Sequence, residues 1–417
     1  MTQQLYETEE ERQERALLIS VDTGEFDAAV SLEELAELAD TAGAAVVDTA
    51  IQKKETPDKA TCLGSGRAEE LALRCAAEDI DLVIVDRELT PTQQRNLEDI
   101  FPCRVIDRTA LILDIFAGRA QSAEGRLQVE LAQLQYRLPR LSGQGTALSR
   151  LGGGIGTRGP GESKLESDKR HIRRRITALR EQLEKLDSQR TLRRQRRRKD
   201  GIPTVALVGY TNAGKSTLLN ALTDAGVLAE DKLFATLDPT SRAIELPDGR
   251  SLLLVDTVGL IRRLPHHLVE AFKSTLEEAA CADIIIHVCD VSDPEAAEKA
   301  DVTLKTLADL GAAEIPVVTV LNKCDLLTEN IPEDDSTVKI SAKKAQGIDR
   351  LLQVVAANLP ETAKRMKLLL PYDKAGFTAK LRENGKVFTE EYTETGVLVD
   401  ALVDQMLIKQ MSQYETE

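Results

Sequence analysis

Residues 203–216 read PTVALVGYTNAGKS, an apolar run that leads directly into a glycine-rich turn. The apolar run has the composition of a strand buried on both faces of a parallel sheet. The turn has the form GxxxxGK[ST], in which backbone N–H groups surround phosphates at the start of a helix. This order of strand, loop and helix predicts a doubly wound α/β domain with a mostly parallel sheet that binds a nucleotide.

The turn supplies one set of candidate nucleotide ligands. Its lysine, Lys215, is expected to reach the β- and γ-phosphate oxygens, and Ser216 is expected to offer its hydroxyl to Mg²⁺. Mg²⁺ is therefore the predicted cofactor. The predicted phosphate-binding residues are Gly209, Tyr210, Thr211, Asn212, Ala213, Gly214, Lys215 and Ser216.

A second motif predicts which base is bound. The tetrapeptide NKCD (322–325) follows the apolar run VVTVL, so it is expected at the carboxyl edge of the same sheet. A carboxylate there can accept hydrogen bonds from guanine N1–H and its exocyclic amine, whereas adenine offers no such pair. A loop SAK after the run TVKI is expected to close over the base. The predicted base-binding residues are Asn322, Lys323, Cys324, Asp325, Ser341, Ala342 and Lys343.

Two further segments have the positions of nucleotide switches. The motif DTVG (256–259) follows the run SLLLV, and FATLD (234–238) lies between the phosphate loop and the next strand. Thr236 is the preferred second Mg²⁺ ligand, and Thr240 is the alternative. The predicted catalytic residues are Lys215, Thr236 and Gly259. The candidate switch residues are Phe234, Ala235, Thr236, Leu237, Asp238, Asp256, Thr257, Val258 and Gly259.

Leu260 follows Gly259, at a position where many GTPases place a glutamine that orients the attacking water. A leucine cannot hydrogen-bond water, so slow basal hydrolysis is expected. Another residue, the order of the second switch, or a bound partner would then complete the site. Four polar side chains downstream are candidates, although a mobile surface segment is the alternative: Arg262, Arg263, His266 and His267.

The length of 417 residues, with 42% hydrophobic and 29% charged residues, indicates a globular chain of several domains. The expected division is a small α/β domain with a parallel sheet (1–118), a helical hairpin (119–200), the nucleotide-binding domain (201–360) and a small α+β domain (361–417). The chain lacks a membrane-length apolar run, and its six cysteines form no CxxC pair. A cytoplasmic monomer without stable membrane association is therefore expected.

Leucines and isoleucines recur at spacings of three and four in 127–138 and 165–186, which predicts two helices packed as a hairpin. Between them, residues 142–161 contain eight glycines together with Arg150 and Arg158. A glycine-rich loop of that length is typical of a binding element. We expect it at the hairpin tip, where it would meet phosphates or nucleotides.

The net charge of −15 is unevenly distributed along the chain. Residues 163–199 hold 15 Lys and Arg against 5 Asp and Glu, a net charge of +10, so the remainder carries −25. A basic arm on an acidic body favours local binding of a polyanion such as RNA. The alternative is a solvated helical face.

Three stretches together resemble the HflX family of ribosome-associated GTPases: GGGIGTRGPGES (152–163), FATLDPT (234–240) and DTVGL (256–260). The resemblance covers essentially the whole chain. Departures are Ser163-Lys164, where the family often has Thr-Gln, and Ser241, where a second threonine is common. The resemblance implies a GTPase that binds the large ribosomal subunit and its rRNA, with the N-terminal region reaching toward the peptidyl-transferase centre, in rescue or splitting of stalled ribosomes.

The leading hypothesis is therefore a Mg²⁺-dependent GTP hydrolase that switches between GTP and GDP states on the ribosome. One alternative is an ATP-driven RNA remodeller that grips RNA with its glycine-rich loop and basic arm. Another is a binding module that senses GTP with negligible turnover, an alternative that Leu260 keeps open. Competition between ATP and GTP, and single-turnover hydrolysis, distinguish these hypotheses.

Overall fold

A computed structural model describes most of the chain. The described residues are 12–141, 160–199, 201–223, 233–238, 240–265, 268, 278–327, 334, 336–360, 363–374 and 376–416. Two units can be distinguished. The first comprises Met1–Leu186, Asp231–Leu237 and Arg263–Phe272; the second comprises Asp187–Glu230, Asp238–Arg262 and Lys273–Glu417. The predicted switch FATLD (234–238) is thus divided in sequence between the two units, whereas DTVG (256–259) lies in the second unit. The predicted four-domain boundaries stay a prediction.

The first unit contains the predicted small parallel sheet. Its strands are β1 (Arg15–Asp22), β2 (Ala45–Lys53), β3 (Leu82–Val85) and β4 (Arg104–Asp107), in the order β2-β1-β3-β4 with every pair parallel. The helices that follow them are α1 (Ala28–Thr41), α2 (Ser65–Ala77), α3 (Pro91–Ile100) and α4 (Arg108–Arg119). Local sequence explains where α3 begins. Thr90 is its N-cap, Pro91 is its first residue, and Thr90 and Gln93 form a capping box.

The predicted hairpin consists of α5 (Ala123–Arg140) and α6 (Pro160–Lys199). Their apolar seams meet as predicted: Leu131, Ile176 and Leu179 form a buried cluster. Five partly buried side chains extend this cluster along the two helices: Leu127, Leu134, Leu138, Ile172 and Leu183. The glycine-rich stretch 142–159 lies outside the described residues.

The second unit contains a six-stranded sheet in the order β10-β9-β8-β5-β7-β6. Its strands are β5 (Thr204–Gly209), β6 (Thr240–Glu245), β7 (Ser251–Asp256), β8 (Ile284–Asp290), β9 (Val317–Asn322) and β10 (Thr337–Lys339). Only the β6–β7 pair is antiparallel. The helices α7 (Lys215–Thr223), α8 (Ala296–Asp309) and α9 (Ile348–Asn358) belong to the same unit. This arrangement confirms the predicted doubly wound, mostly parallel α/β domain.

The C-terminal part is the predicted small α+β fold. Strands β11 (Ala363–Leu370), β12 (Lys386–Thr393) and β13 (Gly396–Asp404) form an antiparallel sheet in the order β11-β13-β12. Helices α10 (Gly376–Asn384) and α11 (Gln405–Met411) accompany it. Among the helices that the described residues form, none combines the length and apolar character needed to span a membrane.

Leu179 tests the packing of the hairpin. It is fully buried against α5, so Leu179→Ala should lower the free energy of local opening of α5 and α6 by about 2–5 kcal/mol. Native-state hydrogen exchange of the amides in both helices measures this change. The matched control is Leu192→Ala on the same helix, because Leu192 is 58% exposed. Equal effects of the two substitutions would contradict the observed packing.

Candidate nucleotide-binding site

The phosphate loop joins the end of β5 to the start of α7, and two of its glycines are required by close packing. A Cβ at Gly209 would lie 2.3 Å from the carbonyl oxygen of Val288 on the neighbouring β8. At Gly214, φ is +92° and a Cβ would lie 2.2 Å from Nδ2 of Asn322. The two positions therefore accept only glycine, which fixes the course of the loop at the carboxyl edge of the sheet.

Lys215 is buried beneath this loop. Its Nζ donates hydrogen bonds to the carbonyl oxygens of Gly209, at 3.1 Å, and Tyr210, at 2.8 Å. Burial lowers the pKa of Lys215 to about 8, an effect that the carboxylate of Asp256 opposes. A buried ammonium group held in this way favours an anion beside it, in agreement with the predicted phosphate contact.

Ser216 and Asp256 provide the oxygen atoms that would hold Mg²⁺. Ser216 Oγ donates to Asp256 Oδ2 at 3.1 Å, and the aspartate is completely buried at the end of β7. A hydroxyl beside a carboxylate is the hard oxygen set that Mg²⁺ prefers, so these residues fit the ion. Thr257, predicted as a switch residue at the nucleotide, donates its hydroxyl to the carbonyl of Leu207 at 2.7 Å. This hydrogen bond joins the end of β7 to β5.

The DTVG segment packs directly on the phosphate loop. A Cβ at Gly259 would lie 2.7 Å from Thr211 Cγ2 and 3.2 Å from Lys215 Nζ. The next residue continues the contact, because Leu260 donates its N–H to the Gly209 carbonyl at 3.2 Å and accepts from the Thr211 N–H at 2.8 Å. Gly259 is thus held near the ammonium group that would bind the β- and γ-phosphates.

The side chain of Leu260 points into the core. It is 2% exposed and belongs to a cluster with Ala206, Val208 and Ile285. This residue replaces the usual glutamine, and its side chain packs as an apolar core residue. A glutamine side chain would place its polar amide in this apolar cluster, so the packing explains why a leucine stands here.

Arg262 and Arg263, predicted as candidates to complete the catalytic site, both pair with carboxylates. The N–H of Arg262 donates to the hydroxyl of Tyr210 at 2.7 Å, and its guanidinium pairs with Glu295 and Glu298. Arg263 belongs to the first unit, where it pairs with Asp86. No sequence pattern links these partners. The candidates His266 and His267 lie outside the described residues.

Asn322 connects the phosphate loop to the loop that contains Ser341. Its Nδ2 donates to the Ala213 carbonyl at 2.8 Å, and its Oδ1 accepts from the N–H of Ala342 at 3.0 Å. The side chain is buried, with 2% exposure. The first residue of NKCD is therefore a structural link between two loops, a role that its position in the motif alone does not reveal.

Asp325, the predicted guanine acceptor, is kept ionised. A hydrogen bond from Ser341 and the neighbouring Lys344, whose Nζ lies 3.1 Å from Asp325 Oδ2, lower the pKa of this carboxyl. Lys323 takes a left-handed backbone conformation, and its Nζ lies 2.6 Å from Asp290 Oδ2. An ionised carboxylate just after β9, at the carboxyl edge of the sheet, suits two N–H donors of guanine. Lys344 was missed because it lies just beyond the SAK motif.

Two apolar side chains of the FATLD segment are buried in the protein core. Phe234 and Leu237 are each 2% exposed, and the Phe234 ring packs edge-to-face on Phe116 at 4.8 Å between centroids. Residues 233–237 belong to the first unit, whereas Asp238 and Thr240 belong to the second. The Phe234 ring is therefore committed to the core of the first unit, and Thr236 as a Mg²⁺ ligand stays a prediction.

Comparison with known proteins agrees with this geometry. A model described as GTP-binding GTPase N-terminal matches residues 29–117, one described as GTP-binding GTPase middle region matches 119–197, and one described as 50S ribosome-binding GTPase matches 204–323.

Three relatives named GTPase HflX match over most of their length. The protein of Caldanaerobacter subterraneus subsp. tengcongensis is 56% identical, covering 94% of this chain and 91% of the relative. That of Lacrimispora saccharolytica is 49% identical, covering 96% of each. The Escherichia coli protein is 41% identical, covering 92% of each. The chain therefore belongs to the HflX family of GTPases and is itself a GTP-hydrolysing enzyme.

Proposed function

We propose that the protein is a Mg²⁺-dependent GTP hydrolase that acts as a nucleotide switch on the large ribosomal subunit, in the rescue or splitting of stalled ribosomes. The observation that carries the nucleotide part is the double hydrogen bond of Asn322, which holds the phosphate loop and the base loop at one sheet edge. Membership of a GTPase family disfavours both alternatives, the ATP-driven remodeller and the module with negligible turnover.

Phosphoryl transfer from GTP to water requires positioning and charge stabilisation, with no covalent intermediate on the protein. The ammonium group of Lys215 stabilises negative charge on the β- and γ-phosphate oxygens. The N–H of Gly259 contacts the γ-phosphate. Ser216 would hold Mg²⁺ through its hydroxyl and Asp256 through water, with Thr236 or Thr240 as the second hydroxyl. When bound, Mg²⁺ neutralises the charge that develops on the phosphate oxygens.

Ribosome binding is assigned to the basic helix α6, which contacts rRNA phosphates. Some of its arginines are engaged within the protein: Arg175 pairs with Glu130, and Arg190 and Arg194 both pair with Glu278. Other arginines on the helix are exposed to solvent: Arg170, Arg173, Arg174, Arg180, Arg193 and Arg196. The exposed set supplies the positive face, and the description of the matching model as 50S ribosome-binding supports the partner.

Asp325→Asn tests the guanine assignment. The substitution replaces a carboxylate that accepts two N–H bonds with an amide, so the affinity for GDP should fall roughly 100-fold or more. Xanthosine diphosphate should bind the variant better than the native protein, because the amide can donate to the xanthine 2-carbonyl. Calorimetry measures both ligands.

Asp349→Asn, on the exposed start of α9, is the matched control and should leave both affinities unchanged. Displacement of labelled GDP by ATP as readily as by GTP would contradict guanine recognition and favour the ATP-driven alternative.

The lowered pKa of Lys215 predicts proton uptake on nucleotide binding. With a pKa of about 8 in the free protein, roughly half the Lys215 side chains are neutral at pH 8. Bound phosphates favour the charged form and raise this pKa, so GDP binding at pH 8 should take up about half a proton through Lys215, and much less at pH 6.5. Calorimetry in buffers of different ionisation enthalpy measures the uptake. Its persistence in Lys215→Met would contradict the assignment.

The exposed arginines predict a salt-dependent contact with the large subunit. The double variant Arg173→Glu/Arg174→Glu should weaken co-sedimentation with large subunits about tenfold or more in the presence of a non-hydrolysable GTP analogue, and should reduce ribosome-stimulated hydrolysis. Arg242→Glu, on the edge strand β6, is the control for charge reversal at an exposed arginine outside α6. Unchanged sedimentation of the double variant would place the rRNA contact elsewhere.

A further inference from the structure

The side chain of Tyr210 connects the phosphate loop to the segment that follows Leu260. Tyr210 is the second residue of GxxxxGK[ST], a position at which the motif requires no particular side chain. The residue is nevertheless buried, with 7% exposure. Its hydroxyl accepts a hydrogen bond from the backbone N–H of Arg262 at 2.7 Å. A residue of the phosphate loop therefore holds the chain two residues beyond Leu260.

This hydrogen bond extends a short stretch of main-chain pairing. Tyr210 and Leu260 form an isolated parallel bridge. In it, the Leu260 N–H donates to the Gly209 carbonyl at 3.2 Å, and the Leu260 carbonyl accepts from the Thr211 N–H at 2.8 Å. The Tyr210 hydroxyl adds a third hydrogen bond further along the segment, at Arg262. The phosphate loop thus restrains this segment at two successive points.

Arg262 is held through its side chain as well. Its guanidinium pairs with Glu295 at 3.2 Å and with Glu298 at 2.9 Å, at the start of α8. The side chain of Glu298 is 75% exposed, so its pair contributes little, and the partly buried Glu295 is the stronger partner. The main chain of Arg262 is therefore bound to the phosphate loop, and its side chain is bound to a helix.

The helix that supplies these carboxylates is itself fixed in the core. Leu307 on α8 is 3% exposed and belongs to the buried cluster that contains Leu260. From the same helix, Lys299 Nζ lies 5.3 Å from the centroid of the Tyr210 ring, within the range of a cation–π contact. The burial of Tyr210 and this contact hold its hydroxyl in a defined place. All of these residues belong to the second unit.

We propose that Tyr210 is a positioning residue for GTP hydrolysis, because its hydroxyl restrains the backbone that leads from Gly259 to Arg262. Ordering this backbone in advance lowers the entropy cost of placing the Gly259 N–H at the γ-phosphate. The restraint matters because the Leu260 side chain has no group that could orient water. The inference rests on the proposed contact of the Gly259 N–H with the γ-phosphate.

Tyr210→Phe tests this role, because it removes the hydroxyl and keeps the ring. The single-turnover rate at saturating GTP should fall about fivefold, the effect of one neutral hydrogen bond. The GDP affinity should stay within about twofold, since Lys215 contacts the carbonyl of Tyr210 and not its side chain. Hydrogen exchange of a peptide that contains residues 259–262 should become faster, whereas exchange in β5 should not change.

Tyr392→Phe is the matched control, because Tyr392 is 74% exposed and its hydroxyl also makes a hydrogen bond, to Glu390. This variant should hydrolyse GTP at the native rate.

An unchanged or faster single-turnover rate in Tyr210→Phe would overturn the proposal, as would unchanged exchange of residues 259–262. A loss of GDP affinity as large as the loss of rate would show that Tyr210 shapes the phosphate loop, and would also overturn it. Gly259→Ala separates these outcomes from failure of the proposed function. A native rate in Gly259→Ala would refute the γ-phosphate contact of Gly259, whereas a slow Gly259→Ala beside a native rate in Tyr210→Phe would refute only the role of Tyr210.

Discussion

The buried amide of Asn322 is the interaction on which the candidate site depends. It donates to the phosphate loop at Ala213 and accepts from the base loop at Ala342, and it approaches Gly214 so closely that a Cβ there has no room. An apolar residue in this place would leave a buried carbonyl and a buried N–H without partners, each at a cost of about 1–3 kcal/mol. The same side chain thus sets the spacing between the sites for phosphate and for guanine.

The strands, the hairpin and the nucleotide motifs could be predicted because each depends on residues close together in sequence. A run such as 203–208 specifies a buried strand, the spacing of Leu131 and Leu134 specifies a helix face, and Thr90 with Gln93 specifies a helix start. The contacts that position the site connect distant residues. Arg263 and Asp86 carry no shared period or motif, so their pairing could not be predicted from sequence.

The distribution of charge along the sequence predicted a basic helix but did not predict the partners of its arginines. The excess of positive charge in residues 163–199 correctly identified a basic helix, but it could not show how its arginines are used. Arg190 and Arg194 approach the buried Glu278, and Arg194 also contacts the thiol of Cys281. Part of the basic run is therefore paired with a carboxylate inside the second unit. Among the described side chains of this helix, the exposed arginines are therefore the candidates for the proposed RNA contact.

The replacement of glutamine by Leu260 has a physical consequence for hydrolysis. Because its side chain packs with Val208 and Ile285, the residue contributes core packing and two backbone hydrogen bonds to the phosphate loop. These contacts fix Gly259 beside Lys215, and the Leu260 side chain offers no group that could orient water. If the Gly259 N–H contacts the γ-phosphate as proposed, residues that restrain its backbone would act on the rate of the chemical step more than on nucleotide affinity. Under the proposed function, a ribosomal partner would accelerate hydrolysis by ordering or completing this segment, because Asn322 already joins the phosphate loop to the base loop.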